Sequence, residues 1–281
     1  MTRAPRTGAP SGSEGADDAT SAPDGGAHAD LTRRLRAAGC VFAEDEAHIL
    51  LAETTDADEL ERRTVRRVAG EPLETIVGFV AFGGLRLAVE PGVFVPRQRT
   101  LFLARRAARA ASTVAGARVA EPFSGVAPVA AYVRATVPGA RLAASDIDPL
   151  PLRCARRNLG ADAVVVRGDG LAGFGTDATF DVIAAVVPYV PDGEIRTMPR
   201  EATAHESGRA LAGGIDGLVH VRELIASSGA RLAERGVLLL EVHRSQVAAA
   251  RVCARAHGLG LHARTAPDGQ TAVIVVRHAL A

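Results

Sequence analysis

Three carboxylates stand at the ends of short apolar runs: Glu121 in ARVAE, Asp146 in ARLAASD and Asp169 in DAVVVRGD. Acids at the carboxyl ends of parallel strands can accept hydrogen bonds from a nucleoside's hydroxyl groups. Glu121 is followed by Pro-Phe-Ser124-Gly125-Val-Ala127-Pro, a turn in which Gly125 lets backbone approach a ligand closely. Ala127 stands where a second glycine would relax the turn, and its Cβ is strained if the chain takes positive φ there. Asp146 lies 21 residues after Gly125, near the ~20 at which an acid meets a ribose. Asp148 is its rival, but it precedes Pro149, so capping the next helix is its expected task. Taken alone, the turn after Glu121 fits an ordinary strand-to-helix connection equally well. Further along, Val186-Val187-Pro188-Tyr189 closes another apolar run, and Tyr189 is one of two tyrosines. His205, beside Glu206, and His243 are the nearby candidates for a base, although packing or exposure suits both better.

The elements that must position these groups follow from periodicity. Residues 1–29 hold almost no large apolar residue and read as a disordered tail. Residues 30–75 carry helical spacing and form a short cap, with Gly70 as a stop signal. A hairpin follows over 76–98, with IVGFVAF and LRLAVE joined by Gly83-Gly84. A helix runs from Arg99 to about Ser112. Strands at 117–121, 140–146, 162–169, 180–187 and 236–243 then alternate with helices, including one over 216–234 and one over 246–257. LGLHAR and TAVIVVRH close the fold as a pair joined at Pro267-Asp268-Gly269, where Asp-Gly is a strong turn signal. Such alternation implies an α/β fold with a parallel sheet over 99–281.

Composition narrows the possibilities. All 33 basic residues are Arg, set against 32 acids, and the net charge of +1 argues against a broad nucleic-acid footprint. Cys40, Cys154 and Cys253 have neither disulfide nor zinc spacing, and His257 and His262 form no metal pair. No apolar run approaches the ~18 residues of a membrane span, and no apolar segment follows Arg3 and Arg6 as in a secretory signal. A cytoplasmic protein is expected.

The segment EPLETIVGFVAFGGLRLAVEPGVFVPRQRT (71–100) resembles the entry segment of the HemK/PrmC-type protein N5-glutamine methyltransferases. The resemblance covers about residues 30–277. It implies a seven-stranded class I methyltransferase (Rossmann-like) sheet with a short N-terminal helical cap and a β-hairpin linker. It implies S-adenosyl-L-methionine as cofactor, with Glu121, Ser124, Gly125, Ala127, Asp146, Asp169, Arg97 and Thr100 as its contacts. Asp146 takes the ribose, and Asp169 faces the adenine amino group. The implied partner is a protein such as a peptide chain release factor, methylated on a glutamine. Where the family carries Asn-Pro-Pro-Tyr to hold the amide, this chain has Val186, Val187, Pro188 and Tyr189. Downstream, Glu206, Gly213-Gly214 and Asp216-Gly217-Leu218 match, whereas two family acids are Ala212 and Val219; upstream, Pro96-Arg97 and Thr100 match, whereas Gln98, Arg99 and Leu101 do not. Two alternatives stay open: a small-molecule acceptor, including transfer of the cofactor's aminocarboxypropyl arm, and a binding protein without turnover.

Overall fold

The computed structural model describes residues 25–195 and 208–279. Most of the expected 1–29 tail, together with His205 and Glu206, lies outside the described residues. The first helix, α1 (Gly25–Ala37), begins earlier than the sequence reading placed it. With α2 (Ala43–Ala52), α3 (Ala57–Val68) and α4 (Leu73–Val77) it buries Leu31, Leu35, Ala47, Leu50, Leu73 and Ile76 in a small core of its own. Arg67 donates to Glu46 across this cap at 2.5 Å, with both side chains nearly buried.

Leu73–Val77 corrects the expected strand over 76–82. Gly78, at φ 83°, terminates a helical turn by donating to the Glu74 carbonyl at 2.8 Å, and only then does β1 (Phe79–Phe82) start. A helix C-cap and a strand glycine look alike in a sequence until the carbonyl that the glycine caps is known. β1 pairs with β2 (Leu85–Ala88) as an antiparallel hairpin. A Cβ on Gly83 at its turn would sit 2.7 Å from Leu101. Arg86 reaches back to Glu53 of the cap at 2.8 Å, and Asn158 bonds both backbone groups of Ala88.

The main sheet has the order β5-β4-β3-β6-β7-β9-β8. Its strands are β3 (Arg118–Pro122), β4 (Arg141–Asp146), β5 (Val164–Arg167), β6 (Phe180–Val186), β7 (Leu232–His243), β8 (Leu259–Thr265) and β9 (Thr271–His278). The first five of these run parallel, and β9 is antiparallel to both β7 and β8. Successive strand residues face opposite sides, as in Val182, Ala184, Val237 and Leu239 against Ile183, Ala185, Leu238 and Leu240. The first set packs with α5 (Leu101–Ala111), α6 (Pro128–Thr136) and α7 (Pro149–Leu159). The second set packs with α8 (Val219–Ser228) and α9 (Val247–Ala256). Helices on both faces explain why the central strands are continuous apolar runs. Covering both faces removes most of the apolar area from water, at roughly 25 cal/mol per Å².

The helix expected over 216–234 is shorter, and residues 232–234 are strand. Phe180 donates to the Arg231 carbonyl at 2.8 Å. The Arg231 guanidinium reaches the carbonyl of Phe174 at 2.7 Å. Both contacts hold the chain extended after Gly229. A Cβ on Gly236 would come 2.8 Å from the Phe180 carbonyl oxygen, at the place where the β6–β7 register shifts.

Candidate active site

The strand order reverses at β3, which lies between β4 and β6, so a crevice opens at its carboxyl end. A cavity of about 500 Å³ occupies it. Glu121, Ser124, Gly125, Asp146, Asp169, Arg97, Thr100, Val186, Val187, Pro188 and Tyr189 all line this cavity. Ala127 does not line it. Ala127 is fully buried at φ 61°, and its N–H closes the turn onto the Ser124 carbonyl at 2.8 Å. Its part is conformational, and its left-handed backbone explains why a glycine is the easier residue there.

Glu121 points at the N-terminus of α6. Its oxygens accept from Ala130 N–H at 2.6 Å and Val129 N–H at 3.2 Å. Burial outweighs these bonds and pushes its carboxyl up to about 8, and nearby Asp146 adds a smaller repulsion. Asp146 accepts from Gly125 N–H and Asp148 N–H, each at 2.9 Å. Burial raises its pKa also. The Asp148 side chain accepts from Leu150 N–H at 2.9 Å and so caps α7. Asp169 is exposed at the rim.

The opposite wall is held from behind. Buried Gln246 donates to the carbonyls of Tyr189 and Gly217, each at 3.2 Å, and accepts from His243 N–H at 3.0 Å. A Cβ on Gly217, at φ 71°, would lie 2.2 Å from the Tyr189 carbonyl oxygen. The Gly213–Gly217 segment can therefore press against the Pro188–Tyr189 backbone only because it lacks side chains at these points. His243 is outside the cavity; it caps the short turn before α9 and sits 2.7 Å from the Ser245 hydroxyl.

Arg99, Glu241, Phe123 and His220 are among the lining groups that sequence reasoning did not assign to the site. Arg99 donates to the Tyr189 hydroxyl at 2.8 Å. Glu241, near the end of β7, is 1% exposed and faces the cavity beside Tyr189. Phe123 and His220 stack with ring centroids 5.2 Å apart. Glu241 had one available signal, a lone acid within the apolar run GVLLLEVH. Among the described residues no cluster of His, Cys, Asp or Glu could hold a metal ion, and no helix is long and apolar enough to cross a membrane.

The sheet order, the crevice at its switch point and the acids on adjacent strand ends define a class I methyltransferase, whose cofactor is S-adenosylmethionine. A methyltransferase of solved structure from Pyrococcus furiosus shares this fold, with a TM-score of 0.52, 16% identity, and coverage of 78% of this chain and 98% of that one. No protein-family model matches the chain. The release factor glutamine methyltransferase of Deinococcus radiodurans is 33% identical over 220 residues, covering 77% of this chain and 76% of the relative. The corresponding Streptomyces coelicolor protein is 32% identical over 231 residues, covering 76% and 82%. The chain belongs to this family of S-adenosylmethionine-dependent methyltransferases. It is equally similar to the 4-amino-L-phenylalanine/4-methylamino-L-phenylalanine methyltransferase of Streptomyces pristinaespiralis, at 32% over 243 residues, covering 84% and 82%.

Proposed function

We propose that this enzyme methylates a planar NH2 nitrogen whose lone pair is conjugated. A glutamine amide of a protein such as a release factor is the acceptor that family membership supports. One observation carries the reading: the strand-end acids and the Val186–Tyr189 turn line the same cavity. The residues fit the cofactor. Each Asp146 oxygen takes one backbone N–H, which leaves lone pairs to accept from ribose hydroxyls. Asp169 at the rim suits an adenine amino group. Apart from its chain neighbours, a Cβ on Gly125 would meet no atom of the described residues within 4 Å, which leaves its backbone open to a close-lying ligand. Ser124 and the buried Glu121 behind it suit the charged amino-acid end, with Arg97 and Thr100 along the other side. Bound S-adenosylmethionine supplies an electrophilic methyl carbon on a sulfonium sulfur. A conjugated NH2 is a weak nucleophile, so the walls must align it and exclude water. Tyr189, fixed by Arg99 and Gln246, supplies one such wall.

A second reading is a small arylamine acceptor. It is favoured by Val186 and Val187, which put no polar side-chain atom where the family holds an amide, and by the relative named for 4-amino-L-phenylalanine. Both acceptors present NH2 on a trigonal carbon. The test incubates the full chain and S-adenosylmethionine with a release factor or with 4-amino-L-phenylalanine. Adenosylhomocysteine formation and a one-methyl mass gain are expected with one of them. Methylation of neither acceptor would refute the proposal.

A further inference from the structure

We infer that Glu241 holds the acceptor NH2 in this chain, in the place of the Asn that the family resemblance leads one to expect at position 186. The inference rests on the NH2-acceptor reading above. Glu241 and Val186 are register partners on the parallel strands β7 and β6, so their side chains leave the sheet on the same face about 4.8 Å apart. Both line the cavity.

The Glu241 carboxyl is buried, and among the described residues neither oxygen has a hydrogen-bond partner of good geometry. The Thr100 side chain and the half-exposed Arg99 guanidinium, whose Nε lies 3.4 Å from Oε1, are its nearest polar neighbours and interact with it only loosely. Burial accordingly raises its pKa, while Thr100 and Arg99 pull the other way. A buried acid left in this state is costly to the fold. Its weakly engaged oxygens face the same space as Tyr189, whose hydroxyl takes its hydrogen bond from Arg99. An NH2 group brings two N–H donors and no charge, which is the complement of such an oxygen pair. Val186, with no polar atom, leaves room for the nitrogen without competing for it.

The experiment uses the full chain, Glu241→Leu, Glu241→Gln and the double variant Glu241→Leu with Val186→Asn. Titration calorimetry measures adenosylhomocysteine affinity, and steady-state kinetics measures methylation of a release factor and of 4-amino-L-phenylalanine. Glu241→Leu should weaken adenosylhomocysteine binding far less than it lowers acceptor turnover, since Glu241 meets the cofactor's side of the cavity only through Thr100. Its acceptor kcat/KM should fall about 10- to 100-fold, the cost of leaving a buried N–H unpaired. Glu241→Gln, which keeps one acceptor oxygen, should fall less, and Val186→Asn should restore part of the loss in the Leu background. Unchanged turnover in Glu241→Leu overturns the inference alone, as does a parallel loss of adenosylhomocysteine binding. A wild type that methylates neither probe overturns the NH2-acceptor reading and this inference with it. Should Glu241→Leu fail to fold, undiminished turnover in Glu241→Gln has the same overturning force.

Discussion

Asp146 and Asp148 are two residues apart and do different work. Asp148 caps α7, so Asp148→Ala should cost about 1 kcal/mol of stability in chemical denaturation. Asp146→Ala should instead weaken adenosylhomocysteine binding by about 1.5–3 kcal/mol in calorimetry; equal binding losses would mean that the wrong acid has been assigned to the ribose. At the acceptor end, Val186→Asn with Val187→Pro should change release-factor methylation little while Glu241 stands beside position 186. A large gain in that double variant would show that Glu241 does not by itself hold the acceptor. Glu121 adds a pH dependence. Its folded pKa, about 8, lies above the ordinary carboxyl value of 4.5. The folded state therefore binds the extra proton between these limits, and stability falls as pH rises from about 4.5 to 8. Asp146, also raised, contributes in the same direction. Glu121→Gln should flatten the melting temperature across that window; an unaltered slope would assign it to other groups. The strand-end acids were legible because each ends an apolar run. Glu241 was not, because its meaning depends on Val186, a residue 55 positions earlier, brought alongside only by the β6–β7 register.

At the scale of elements, the wall that carries Tyr189 depends on Gln246, which leads into α9. Gln246→Ala would strand the Tyr189 and Gly217 carbonyls in a buried place, at about 1–3 kcal/mol. The expected outcome is a lower melting temperature and a reduced kcat with adenosylhomocysteine affinity nearly unchanged. An unaltered kcat would show that Tyr189 keeps its place without this support. The alternation of strands and helices was readable because both periods recur cleanly from 117 onward. Two boundaries were not. Leu73–Val77 is helical because Gly78 caps it, and Leu232–Glu234 is extended because Arg231 is bound to the turn before β6. Each depends on a carbonyl whose position no local pattern encodes.

For the molecule as a whole, the cap, hairpin and sheet are joined by a few polar links, Arg86 to Glu53 and Asn158 to Ala88 among them. The overall class was legible because so many strands and turns agree with one another. The strand order was not, since β9 follows β8 in the chain but lies between β7 and β8 in the sheet. That placement matters during synthesis on the ribosome. Until Thr271–His278 emerges, β7 presents an unpaired apolar edge and β8 has no neighbour. Bare edges of this kind recruit other chains. A chain stopped just before Thr271 should therefore collect in the insoluble fraction on expression, and adding the separate 271–278 peptide during refolding should rescue part of it. A soluble, monomeric truncated chain would show that the nascent protein protects this edge by other means.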